Sequence, residues 1–186
     1  MEKTRKLGQT DIEITAIGYG CMGQTHAYGV VEAEEDMVAL MRYAHEVGYT
    51  FFDTAPIYGE ANEQYLGKAV ASFRKAAVVA TKFGIVDDSF FTGNEDALNS
   101  CRDSIRQQVD ASLKRLGTDY IDLYYQHRID PKTAPEEVAE TMAELIKEGK
   151  IRAWGVSFAS EEYIRKPHAV CKISAIENMY SFVARQ

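Results

Sequence analysis

The chain has 186 residues, 46% of them hydrophobic and 26% charged, which suits a single globular domain over 1–186 with enough apolar material for a core. Its formal charge of −7 argues against a broad nucleic-acid footprint, although it does not exclude a local basic pocket for a small phosphate ligand. Cys21, Cys101 and Cys171 lack disulfide or zinc-site spacing, the N-terminus lacks the apolar stretch of a signal peptide, and no apolar run nears the ~18 residues of a membrane span, so the expectation is a soluble, cytoplasmic protein with reduced thiols.

In chain order, Lys6-Leu7-Gly8 and Ile12–Thr15 flank a polar turn, as in a short hairpin. Apolar, β-branched or aromatic runs then recur at Ala16–Gly20, Thr50–Thr54, Ala77–Lys82, Tyr120–Gln126, Ile151–Val156 and Ile173–Ile176. They are nearly continuous rather than alternating, the pattern of strands buried on both faces. Between most of them lie helical spacings: Met37, Leu40, Met41 and Ala44; Ile105, Val109, Leu113 and Leu116; Val138, Met142 and Leu145. Gly48, Gly117 and Gly149 sit where helix C-caps belong, and Ser100 with Asp103 and Thr133 with Glu136 read as capping boxes. Pro135 suits a first helical turn, Glu34-Glu35-Asp36 a solvated one, and Asp87–Asn99 a surface loop.

Alternating strands and helices imply a parallel sheet with right-handed crossovers, either an open doubly wound sheet or a (β/α)8 barrel. Gly18, Gly20 and Gly23 match the dinucleotide fingerprint G-x-G-x-x-G literally. That fingerprint needs its last glycine inside a helix, whereas Gln24–Val31 intervenes here before any helical pattern begins.

In a barrel the C-terminal strand ends carry the chemistry. Asp53 ends the second such strand, Tyr58 lies in the loop after it, Lys82 ends the third and His127 the fourth. Each has an ordinary structural use: a loop hydrogen bond, amphipathic packing, a lysine reaching water, a rim histidine. Together they favour a site. Hydride addition to a carbonyl leaves charge on oxygen, which then needs a proton. Tyrosine can donate one, and a Lys82 ammonium would lower its ordinary pKa of about 10. Asp53 would hold Lys82 charged, and His127 would hydrogen-bond the carbonyl oxygen. No second carboxylate obviously faces Asp53 as glycoside hydrolysis requires, and no metal-ligand cluster is evident. Trp154 is expected in the core.

At these residues the sequence resembles the aldo-keto reductase family. The matching blocks are Phe52-Asp53-Thr54-Ala55-Pro56-Ile57-Tyr58-Gly59 with Asn62-Glu63 and Leu66-Gly67; Thr81–Gly84; Asp119–His127; and Gly149–Ser157. The resemblance covers essentially the whole chain. It implies a TIM-type (β/α)8 barrel, NADPH as hydride donor and small aldehydes or ketones as substrates. Tyr58 takes the place of the family's acid, with Asp53, Lys82 and His127 completing the tetrad. It further implies cofactor contacts at Cys21, Met22, Asp53, Ser157 and Glu177. Phe158 stands where the family often has Asn or Glu, and Glu177 where it commonly has Gln. A carboxylate accepts from the carboxamide nitrogen but cannot donate to its oxygen.

Six strands are read rather than eight, so the expectation is an incomplete barrel of about six β/α units behind an N-terminal hairpin, truncated at the C-terminus. Such a sheet would offer open edges for self-association. The alternative reading is a truncated, inactive family member or regulatory subunit.

Overall fold

In the computed structural model, residues 3–26, 29 and 33–183 are described. A two-stranded antiparallel hairpin, β1 (Thr4–Lys6) and β2 (Glu13–Thr15), comes first. Six parallel strands follow in one curled sheet, in chain order: β3 (Tyr19–Gly20), β4 (Phe51–Asp53), β5 (Val78–Phe83), β6 (Ile121–Gln126), β7 (Ile151–Ser157) and β8 (Ala175–Glu177). The crossovers carry α1 (Glu34–Glu46), α2 (Glu60–Val70), α3 (Arg102–Leu116), α4 (Pro135–Lys147) and α5 (Glu161–Val170). This is an incomplete (β/α)8 barrel. Sequential order with a helix in every crossover excludes the doubly wound alternative, whose strand order reverses.

Every residue of β5 and β6 is buried, which explains why the strands read as continuous apolar runs. The two-residue period still sorts them. Val79, Phe83, Tyr124, Trp154 and Val156 pack outward among α1–α4. Val78, Ala80, Leu123, Tyr125 and Ala153 point inward and are closed off by Leu7 and Ile12 of the hairpin. The hairpin therefore plugs the bottom of the sheet. Trp154 is fully buried. Asp122, also fully buried, binds Arg74 and Arg152 and accepts from the Val79 N–H, pinning β5, β6 and β7 at the same end.

Several local expectations need revision. The structure has helices at α2 and α5 that the periodicity did not mark. α2 buries the polar Asn62 and Glu63 in its first turn and the apolar Leu66, Ala69 and Val70 only after them, so its apolar stripe is short. α5 buries only Pro167 fully. In α1 the buried positions are Val38, Met41 and Ala44, while Leu40 is exposed. The capping boxes are absent: α3 and α4 start at Cys101 and Ala134 with no side-chain cap. Ser100 and Thr133 instead turn to Asp130, which accepts from the Ser100 N–H at 2.9 Å and the Thr133 hydroxyl at 3.0 Å. A tertiary carboxylate has outcompeted the local cap. The fingerprint glycines lead into a single 3-10 turn at Met22–Gln24, with α1 beginning only at Glu34. Of the segment between them, residues 27, 28 and 30–32 lie outside the description. The expected loop over 87–99 holds two short 3-10 turns and buries Ala97 and Leu98. The predicted cap glycines do have positive φ, at 107° for Gly48, 63° for Gly117 and 77° for Gly149. Among the described residues, no helix is long and apolar enough to cross a membrane.

α2 and α3 approach closely at Gly67. A Cβ there would lie 2.3 Å from the Leu116 carbonyl oxygen, a backbone atom that cannot step aside. Gly67→Ala should therefore destabilise the protein by about 1–3 kcal/mol, although alanine is the better helix former. Urea unfolding checks this; a midpoint equal to or above wild type would show that the helices separate freely.

Candidate active site

The polar residues predicted from strand ends do meet at one rim. Asp53 closes β4, Lys82 is the penultimate residue of β5, and the His127 N–H donates to the Phe83 carbonyl at 2.8 Å just past β6. Tyr58 ends a 3-10 turn at Pro56–Tyr58, with Gly59 following at φ 102°. A chain of buried bonds fixes that turn. Asn62 on α2 accepts from the Thr54 hydroxyl at 2.5 Å and donates to the Cys21 carbonyl at 2.9 Å and to Thr25 Oγ1 at 2.6 Å. The Thr25 hydroxyl in turn donates to the Tyr58 carbonyl at 2.6 Å. The loop after β3 and the loop after β4 are thus stitched into one support. Sequence reasoning saw Asn62 within a motif but not this use of it. Glu63 beside it is fully buried, taking Arg115 Nε at 2.5 Å and the Thr81 hydroxyl at 2.7 Å.

At the centre, the Lys82 ammonium is completely buried. Nζ is hydrogen-bonded to Asp53 Oδ1, donates to the Thr54 carbonyl at 3.1 Å and to Tyr58 Oη at 3.4 Å, and faces Glu177 Oε2 at 3.6 Å. It has no contact with water, contrary to the ordinary use of a rim lysine. Burial opposes its charge, but the carboxylates of Asp53 and Glu177 together with Tyr58 outweigh that and push its pKa up. Burial raises the pKa of Asp53 against the pull of Lys82, and does the same for Glu177.

Tyr58 departs from expectation. Burial raises its pKa more than the Lys82 charge lowers it, with Asp53 and Glu177 adding to the rise. The phenol is consequently neutral at physiological pH. Lys82 donates to its oxygen, which leaves the phenolic proton free to be given elsewhere. The His127 ring stands edge-on to Tyr58 at 5.9 Å. Burial, with the Lys82 and Arg128 charges behind it, lowers its pKa to about 2, so it too is neutral. Neither ring nitrogen has a hydrogen-bond partner among the described residues, which leaves both available to a ligand.

The residues expected to contact the cofactor are distributed less evenly. Ser157 and Glu177 are register partners on β7 and β8, with Ser157 almost fully buried. Met22 lies in the 3-10 turn after β3 and is half-buried. The Cys21 side chain is fully buried in the core, and burial first, then Asp53, pushes its thiol pKa up. Its backbone, not its sulfur, meets the site: the N–H donates to the Asp53 carbonyl at 2.8 Å. A cavity of about 380 Å³ opens between Gly18, Tyr19, Gly20, Asp53, Tyr125 and Glu177, and another of about 530 Å³ lies on the far side of Tyr58, against His26, Ile57, Val86 and Arg115.

Two residues that the sequence did not offer as site members, His26 and Arg128, also reach the rim, together with Phe158, which departs from the family pattern. His26 lies 6.2 Å from the Tyr58 ring and 5.4 Å from Phe91. Arg128 donates to the Ser157 hydroxyl at 3.4 Å. Phe158 is the one described non-glycine residue with positive φ, at 52°, a conformation costing roughly 1–2 kcal/mol. The arginine was legible as the residue after His127; its contacts were not, because they come from β7 and the loop after β5.

Comparison with known proteins agrees with this fold. The aldo/keto reductase family model matches residues 16–186. A probable aldo-keto reductase of Glycine max is 40% identical over 186 residues, 97% of this chain and 52% of its own length. A thermostable aldo-keto reductase solved with the inhibitor epalrestat superposes with a TM-score of 0.83 at 31% identity, over 96% of this chain and 62% of the other. An aldo-keto reductase from Bacillus halodurans in its holo form gives 0.83 at 32% identity, over 97% and 58%. The chain spans about half the length of the curated relatives it matches. Motif, fold and rim geometry converge, and the chain belongs to the aldo-keto reductase family.

Proposed function

We propose that the chain is an oxidoreductase that reduces aldehydes or ketones to alcohols, with Tyr58 as proton donor and NADPH as hydride donor. The observation that carries this reading is the neutral Tyr58 phenol whose oxygen accepts from the buried Lys82 ammonium at 3.4 Å.

The residues suit the nicotinamide end of such a cofactor. Asp53 Oδ2 is buried without a hydrogen-bond partner, an acceptor suited to a ribose hydroxyl. Ser157 brings a hydroxyl and Glu177 a carboxylate to the same inner register, the latter able to accept from a carboxamide nitrogen. Bound there, the cofactor would supply hydride to the carbonyl carbon. The chain does the rest. The neutral His127 donates one N–H to the carbonyl oxygen and orients it. The Tyr58 proton passes to that oxygen as charge develops. The phenolate left behind faces the Lys82 ammonium, whose charge Asp53 and Glu177 maintain. Tyr58's raised pKa keeps the donor loaded until that moment.

The open outer edges of β3 and β8 would also suit self-association, which a mass measurement at micromolar concentration checks: a monomer would exclude it.

Two outcomes test the site. NADPH consumption with a generic aldehyde should fall at least about 100-fold in kcat/KM for Tyr58→Phe. Equal rates would remove Tyr58 from its role, and absence of NADPH binding to the wild-type chain would favour a non-catalytic family member. The second concerns pH. His127 has its folded pKa far below the ordinary 6.5, so the unfolded chain binds a proton that the folded one refuses. The stability from keeping it neutral is complete above about pH 6.5 and is lost as pH falls from there toward 2. Between pH 7 and pH 5 the wild type should lose roughly 1–2 kcal/mol more than His127→Gln. The raised carboxylates act with the opposite sign and are common to both proteins. Parallel thermal-unfolding curves at the two pH values would show that His127 titrates normally.

A further inference from the structure

Arg128 sits immediately after His127 and is half-buried. Its Nη1 donates to the His127 carbonyl at 2.7 Å and to Ser157 Oγ at 3.4 Å. Its guanidinium lies 4.4 Å from the Phe158 ring and 5.9 Å from Phe90. The strained backbone at Phe158 is held by an N–H bond to the Glu177 carbonyl at 3.1 Å, and it sets that ring against the arginine. Strain of this kind persists where the surroundings over-determine it, commonly beside a ligand.

What Arg128 lacks is an anion. The other half-buried arginines among the described residues have one: Arg74 binds Asp122, Arg106 binds Glu144 and Glu148, and Arg115 binds Glu63. Arg128 forms no ion pair among the described residues, and its Nε and Nη2 donate to nothing there. Those two atoms form one edge of the guanidinium, whose parallel N–H bonds match the two oxygens of a carboxylate. Burial lowers its pKa from the ordinary arginine value, and Glu177 and the Tyr58 oxygen, within electrostatic reach, oppose that only in part. Glu177, however, directs its Oε2 to Lys82. One edge is thus anchored on the site, the plane is set by aromatic rings, and the remaining edge is open.

We propose that Arg128 is a carboxylate receptor, and that the carbonyl compounds taken by this site are oxo acids, with the carboxylate on the Arg128 fork and the carbonyl at Tyr58 and His127. This rests on the reductase reading of the site. A phosphate would also bind a guanidinium, but the free edge offers two coplanar donors flanked by rings, which suits a planar anion.

The test compares 4-formylbenzoate with its methyl ester as substrates. It also measures calorimetric binding of 4-(hydroxymethyl)benzoate and of inorganic phosphate. The KM of the acid should lie at least about tenfold below that of the ester. Arg128→Met should bring the ratio toward one, chiefly by raising the KM of the acid. Arg128→Lys, which keeps charge but not the fork, should fall between and serves if the methionine variant does not fold. Binding of 4-(hydroxymethyl)benzoate should weaken at least tenfold in Arg128→Met. An ester KM equal to or below that of the acid, or a ratio unchanged in Arg128→Met, would overturn the proposal. So would phosphate binding tighter than the carboxylate. If neither aldehyde is reduced but the carboxylate binds in an Arg128-dependent way, the receptor stands and the reductase reading fails. If the carboxylate does not bind, the receptor is refuted whatever the turnover.

Discussion

Burying a lysine ammonium is costly unless charge of opposite sign goes with it. Lys82 has no exposed surface, and the architecture of the rim follows from that fact. Asp53 comes from the neighbouring strand β4, where its register against Ala80 places it one step from Lys82. Glu177 comes from the edge strand β8, and the Thr54 carbonyl closes a third direction. What remains facing the lysine is the Tyr58 oxygen. The ion pair thus keeps the charge that a phenolate would need, and Lys82 is the hydrogen-bond partner of the Tyr58 oxygen among the described residues.

The same low-dielectric setting separates the roles of the other titratable groups. Burial pushes Tyr58 up and His127 down, so both are neutral while Lys82 is charged. A phenol that keeps its proton and an imidazole that can donate one N–H without carrying charge would suit the proposed reduction, in which a carbonyl oxygen becomes negative only transiently. The Asn62–Thr25 bridge matters here because it holds the Tyr58 turn without touching the chemistry.

The parts of this arrangement that were legible in the sequence are those written in local pattern. Continuous apolar runs marked the strands, positive-φ glycines ended α1, α3 and α4, and the strand ends displayed Asp53, Lys82 and His127 in order. The parts that were not legible depend on distant partners. α2 escaped notice because the first turn of its inner face is polar, with Glu63 satisfied by Arg115 and Thr81 from other elements, and only Leu66, Ala69 and Val70 after it join the core. The capping boxes failed because Asp130 draws both Ser100 and Thr133 away. The direction of the Tyr58 shift needed the balance between burial and the Lys82 charge, and spacing along a chain carries no measure of burial. The Arg128 contacts with Phe90 and Phe158 likewise join segments that only the folded sheet brings together.

Lys82 remains charged in a buried setting because its carboxylate neighbours outweigh desolvation, and the rest of the rim depends on that charge. A pH titration of the Lys82 side-chain 13Cε resonance by NMR measures that balance directly. The account predicts that the ammonium persists beyond the ordinary lysine midpoint of about 10.4, and that Asp53→Asn moves its midpoint down. A wild-type Lys82 that loses its proton below that value would contradict it.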